Sequence, residues 1–194
     1  MSSIGFETPT GLIFDLLEPG PAMVRIEDIA WSLSRQCRFN GNTRFFYSVA
    51  DHCIYVGNLL PPEIRIYGLL HDAHEAYMGD IASPIKKLLG KEKIRQIEKE
   101  IDAAIYESLG LSPPSDEILG LVHKADVLAL RIEAYHLMPS RGSWAGDPDE
   151  IGSREYPPLL LSTAFEYSEN LWKEEVRVYN ALTISRIPKE VLAK

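Results

Sequence analysis

"LLHDAHEAYMGD", residues 69–80, sets two histidines, two aspartates and a glutamate at the end of an apolar run with helical spacing. A charge on the apolar stripe of a helix must be neutralised, paired or bound to a metal, because burying it alone costs on the order of several kcal/mol. The stretch therefore predicts a core-facing helical turn whose chemistry is completed by residues elsewhere. Upstream, Ile64, Tyr67 and Leu70 continue the stripe back to Pro61-Pro62, which stop one helix and start the next. The helix before them opens at Ser48, an N-cap with Asp51 three residues on, and carries Val49, His52, Cys53, Val56, Leu59 and Leu60 on one face. Ile26, Ile29, Ala30 and Leu33 mark another, with Glu27 and Asp28 in its first turn. Residues 1–23 are too rich in Gly and Pro for a helix and leave room for a short extended pair around "LIFDLL".

Downstream, the opening helix should run on to Gly79, and Pro84 should break the chain. "KEKIRQIEKEIDAAIYESLG" is amphipathic, with Ile94, Ile97, Ile101, Ala104 and Ile105 on one side and Gly110 as terminator. Pro113-Pro114-Ser115 opens a helix from about Asp116 to Met138, with Ile118, Leu121, Val122, Ala125, Ala129 and Ile132 inward. Residues 139–158, which include Trp144, read as a long loop of turn formers, a lid or a partner surface. A last helix should start near Ser162 and carry Phe165, Leu171, Trp172, Val176 and Tyr179. The expected fold is an all-α bundle of about seven or eight helices, with or without a short N-terminal hairpin. It is expected to be one domain over 1–194, with its site core at about 26–138 and a C-terminal helical segment from 159.

The chain of 194 residues is 45% hydrophobic and 25% charged, the composition of an ordinary globular protein. A formal net charge of -8 argues against polymeric nucleic acid or an anionic membrane as a partner. Cys37 and Cys53 form no CxxC pattern and are expected to be reduced core residues. "MSSIGFETPTGLIF" is not a basic segment followed by an apolar one, and no run reaches the roughly 18 apolar residues of a spanning helix. The expectation is a soluble, cytoplasmic protein.

Three segments break their apolar stripes with titratable groups: His52, the doublet His71-Asp72, and Asp126 between Val122 and Ala129. If those helices pack together, two imidazoles and two carboxylates converge, a mixed nitrogen and oxygen donor set suited to zinc, manganese, iron or cobalt with positions left open. Alone, His52 would more often be a satisfied core histidine and Asp126 a hydrogen-bonded buried carboxylate. Their joint register with Glu75, four residues beyond His71, favours a metal centre with a proton-transfer group beside it. Asp80, just past Gly79, is a second acid/base candidate. Protease chemistry drops out, because an HExxH motif starting at His74 needs histidine where the chain has Met78. His123 and His136 lack any such register. Cations for phosphate are offered nearby by Arg35, Arg38, Lys86 and Lys124.

The order His52, His71-Asp72, Asp126, with "GLLHDAHEAYMGDIASPIKK" at its centre, resembles the HD-domain superfamily of metal-dependent phosphohydrolases. With "SRQCRFNGNTRFFYSVADH" before it, the chain is similar to the small nucleotide hydrolases of that superfamily, the phage dATP triphosphohydrolases and the bacterial 5′-deoxynucleotidases. The resemblance runs from about Ile26 to Met138. It implies that His52, His71, Asp72 and Asp126 hold one catalytic divalent transition metal and that Glu75 and Asp80 are the acid/base carboxylates. It allows a second, magnesium-like ion on the substrate phosphates, and it implies a homo-oligomer. It also suggests that Phe39 and Pro84 sandwich a base. The leading expectation is a dATP triphosphohydrolase releasing a deoxynucleoside and triphosphate. The alternatives are a 5′-deoxynucleotidase and, from another class, a non-catalytic nucleotide-binding regulatory module.

Overall fold

The computed structural model describes residues 4–159 and 169–177. The chain opens with strand β1 (Gly5–Glu7), paired antiparallel with β2 (Ile13–Asp15) so that Phe6 lies opposite Phe14. Phe14 is fully buried and stacks on Tyr77 with ring centroids 3.8 Å apart, while Thr8 and Thr10 each donate a hydroxyl to Asp28 at 2.8 Å. The hairpin is thereby tied to the helices behind it. These are α1 (Ile26–Arg35), α2 (Val49–Asn58), α3 (Arg65–Leu70), α4 (Glu75–Met78), α5 (Ser83–Leu89), α6 (Lys91–Ser108), α7 (Asp116–Leu137) and α8 (Pro148–Gly152), followed by a helical stretch over 169–177. Among the described residues this is an all-α bundle with one short hairpin.

The buried axis of the bundle is α2, whose residues Val49–Gly57 are all withdrawn from solvent. A helix enclosed on every side belongs inside a core, and α2 serves two. Cys53 and Ile54 join Ile29, Leu33, Leu69, Ile101 and Ile105 in one cluster, and Tyr55 and Val56 join Ala125, Ala129 and Ile132 of α7 in the other. Its buried N-terminus would leave orphan N–H groups, which the sequence prevents with a complete capping box. Asp51 N–H donates to Ser48 Oγ at 3.0 Å, and Ser48 N–H donates to Asp51 Oδ2 at 3.0 Å. Ser115 caps α7 with its side chain alone, accepting from Ile118 N–H at 3.3 Å.

The helix expected to run on to Gly79 is divided. After Leu70 the chain winds through residues 71–74 with i to i+3 bonds, Ala73 N–H to Leu70 O and Glu75 N–H to Asp72 O, before α4 begins. Tighter winding turns His71, Asp72 and Glu75 away from the single face of a regular α-helix. Pro84 does not break the chain but lies in the first turn of α5, where its missing N–H is harmless. Leu121, expected inward, is 39% exposed. Cys37 is exposed rather than in the core, whereas Cys53 is buried. The segment 139–158 contains α8, so it is not loop throughout. Of the last expected helix, Trp172 and Val176 are fully buried; Ser162, Phe165 and Tyr179 lie outside the described residues. No helix among the described residues is long and apolar enough to cross a membrane.

Two glycines let α2 and α3 touch at backbone level. A Cβ on Gly68 would stand 2.9 Å from Gly57 Cα and 2.7 Å from Leu60 Cδ1. Gly68→Ala should therefore force the helices apart and cost about 1–3 kcal/mol, read as a lower midpoint in urea unfolding. An unchanged midpoint would show that the two helices can separate freely.

Candidate metal centre

The crossing of α2 with α3 brings His52 against the turn that follows α3, and α7 packs across both. His52 Nε2 lies 3.2 Å from His71 Nε2, 3.5 Å from Asp72 Oδ2 and 3.2 Å from Asp126 Oδ1. His71 Nε2 lies 3.2 Å from Asp72 Oδ2 and 3.9 Å from Asp126 Oδ1. Donors held about 2.0–2.1 Å from a common ion stand roughly 2.8–3.4 Å apart, so the spacing fits first-row metal ligation with modest closure. His52, His71 and Asp72 form a group that can hold a metal ion, and Asp126 is the fourth residue brought to it.

The far sides of both imidazoles fix their tautomers. His52 Nδ1 lies 2.6 Å from Glu133 Oε1, and His71 Nδ1 lies 2.8 Å from Gly68 O. A carbonyl or carboxylate oxygen there requires N–H at Nδ1, which leaves both Nε2 lone pairs aimed at the same point as two carboxylate oxygens. Four acceptors facing one another repel unless a cation lies among them. The titration behaviour agrees. Burial, and for His52 also Arg38, opposes the imidazolium form. Glu133 and Asp126 nevertheless lift His52, and Asp72 lifts His71, above the ordinary histidine range. Burial likewise opposes the ionised form of Asp72, but His71 holds its carboxyl well below the usual range. The pocket demands positive charge, as a proton or as a metal.

Glu133 carries no role in the sequence reading and is the main residue it misses. It is fully buried, accepts from Tyr47 OH at 3.0 Å, and lies 3.5 Å from Arg38 Nη2. Burial raises its pKa, but His52 and Arg38 outweigh that and keep it ionised. Gln36 is also missed. Its Nε2 donates to Glu75 O at 2.9 Å and its Oε1 accepts from Asp80 N–H at 2.8 Å, so the end of α1 fixes both acid/base candidates.

A cleft of about 340 Å³ opens beside the four donors, lined by Arg38, Phe39, Asp72, Glu75, Asp80, Pro84, Lys86, Asp126 and Trp144 among others. Burial, then Asp72 and Asp80, pushes the Glu75 carboxyl well above the usual range, and its buried Oε2 finds no hydrogen-bond partner among the described residues. Burial raises Asp80 as well, against the pull of Arg38. Lys86 Nζ lies 2.8 Å from Glu98 and 3.9 Å from Glu75. Arg38 keeps its charge despite burial because Glu133, Asp72, Asp80 and Asp126 surround it.

Two expected phosphate cations are not in this cleft. Arg35, the last residue of α1, lies over the Trp31 ring at 3.3 Å and pairs with Glu169 at 2.9 Å, on the other side of α1. Lys124 is exposed on a part of α7 that does not line the cleft, since two residues of helix turn it well away from Asp126. His123 and His136 are exposed. His74 turns toward α6, its Nδ1 3.1 Å from Asp102 Oδ1, and with Asp72 and Glu75 makes a second group close enough to hold a cation.

The fold and these donors define an all-α protein with a candidate His/Asp metal centre. No known family model matches the chain. It is 33% identical over 166 residues to the uncharacterized protein RCAP_rcc00048 of Rhodobacter capsulatus, covering 80% of this chain and 82% of that one, and it belongs to the same family. It is also 43% identical over 119 residues to the uncharacterized protein YfdR of Escherichia coli, a match that covers 61% of this chain and spans 64% of the length of YfdR.

Replacing Glu133 with Gln keeps its shape and removes the charge behind His52. Metal affinity should fall about 10–100-fold, measured by competition with a chromophoric chelator. Equal affinity in both proteins would reduce the 2.6 Å contact to a packing role.

Proposed function

We propose that the protein is a metal-dependent phosphohydrolase of the HD type that acts on deoxynucleotides, with dATP cleaved to deoxyadenosine and triphosphate as the leading reaction. The observation that carries this reading is the convergence of His52, His71, Asp72 and Asp126 at one end of a cleft that also presents two cations and two displaced carboxyls. A divalent zinc, manganese, cobalt or iron ion held by those four residues would supply a Lewis acid toward phosphoryl oxygen and acidify water at neutral pH.

The chain's own groups account for the rest. Arg38 presents a planar fork to phosphate oxygens, and Lys86 adds a point charge from α5. Glu75, whose carboxyl burial and then Asp72 raise well above the usual range, is placed to give a proton to the departing oxygen as the phosphorus–oxygen bond breaks. Asp80, less buried, takes the proton of the attacking water. A module that only senses a nucleotide has no use for a carboxyl of raised proton affinity beside the donor set, which favours catalysis over simple binding.

Purified protein loaded with manganese or cobalt should release inorganic tripolyphosphate from dATP. Orthophosphate from dAMP would instead mark a monophosphatase, and silence toward both would end the proposal. Glu75→Ala should lower turnover about 100-fold or more while metal content stays unchanged. Turnover that persists would remove Glu75 from the mechanism.

A further inference from the structure

Trp144 is an indole held over the cleft by a loop built to hold it. The ring is 57% exposed, lines the cleft, and meets Phe39 edge-on, with centroids 6.3 Å apart and planes at 72°. Leaving so large an apolar side chain in water gains nothing for folding. Yet the loop around it is anchored on both sides. Gly142 (φ +71) lies so close to α7 that a Cβ there would stand 2.7 Å from Ala134 Cβ, and a Cβ on Gly146 (φ +147) would stand 2.7 Å from Arg131 Nε. Arg141, itself at φ 53, places its guanidinium over Tyr135 at 4.2 Å. Phe39 is held with similar insistence, since it and Asn40 both take left-handed backbone at φ 54 and 53, which costs about 1–2 kcal/mol per residue. Two strained segments, far apart in sequence, thus set two rings edge to face beside the candidate metal centre.

We infer that Trp144, carried by the 139–147 loop, adds a second aromatic wall to the base site that the resemblance implies at Phe39, one ring stacking on the face of the nucleobase and the other closing its edge, so that the loop contributes to base recognition. This rests on the phosphohydrolase reading above. The corner is too apolar to hold phosphate, and Arg38 and Lys86 are already placed for that, so the part of the ligand it fits is flat and aromatic.

The test uses the full chain carrying Glu75→Gln, loaded with manganese, so that ligands bind without turnover. Sequence offers three tryptophans: Trp172 is fully buried and Trp31 lies under Arg35, which makes Trp144 the fluorophore a ligand in this cleft would quench. dATP should quench the emission, and Trp144→Phe should abolish most of the quench while binding, read by calorimetry, stays within a few-fold. Trp144→Ala should weaken dATP about 10-fold and leave inorganic tripolyphosphate unaffected, the range expected for losing one base-stacking ring. Equal dATP affinity in Trp144→Ala and its parent would overturn the inference and leave the phosphohydrolase reading intact. Equal weakening of dATP and tripolyphosphate would overturn it too, since the loop would then act on the whole site. So would a change confined to sedimentation behaviour, which would make Trp144 a contact between copies. If the Glu75→Gln parent binds no nucleotide although the wild-type protein hydrolyses some other phosphate ester, the base corner is refuted. If the wild-type protein neither binds nor hydrolyses phosphate compounds, both readings fail together.

Discussion

His52 and Glu133, both fully buried, meet at 2.6 Å between α2 and α7, and the geometry of the centre depends on that contact. It carries a charge into a place where charge is costly, so every neighbour must answer for it: Tyr47 donates to the same carboxylate, Arg38 approaches from the other side, and the imidazole is left with its Nε2 lone pair inward. Because α2 is enclosed on all sides, neither partner can turn to water for relief. The burial that makes α2 the axis of the fold also makes the donor set rigid.

The same axis distributes the work. The α2/α3 crossing is close because Gly57 and Gly68 allow it, and Gly68 then gives its carbonyl to His71 Nδ1. One glycine thus sets both the depth of the crossing and the tautomer of a donor. The tightened turn at 71–74 carries Asp72 toward the donors and delivers Glu75 to the cleft, and Gln36 ties the backbone of Glu75 and Asp80 to α1. Family membership with RCAP_rcc00048 spans most of both chains, so this arrangement is open to examination in a second protein.

Much of this was legible in the residues. Helix starts were, because Ser48 with Asp51 and Ser115 with its acidic first turn are local signals that do not depend on tertiary context. The four converging donors were, because each interrupts an apolar stripe. Glu133 was within reach: it lies seven residues beyond Asp126, two helical turns along the same face, beside the buried Ile132. The winding at 71–74 was not: His71, Asp72 and His74 are weak helix formers, but that weakness does not say where or how a helix tightens. Arg35 and Arg38 look alike as cations in a list of residues, and only their local company separates them. Trp31 stands one helical turn before Arg35 and captures it, whereas Arg38 lies beyond the end of α1, where the chain bends toward Glu133.

The enclosure of Arg38 also bears on what this acidic chain can admit. At the donor set itself Asp72, Asp126 and Glu133 bring three carboxylates against the single guanidinium of Arg38, so a doubly charged cation there would balance these four groups while the chain as a whole stands at -8. With that balance made, a polyanion's approach to the cleft would be governed chiefly by the field of the outer surface, which salt screens.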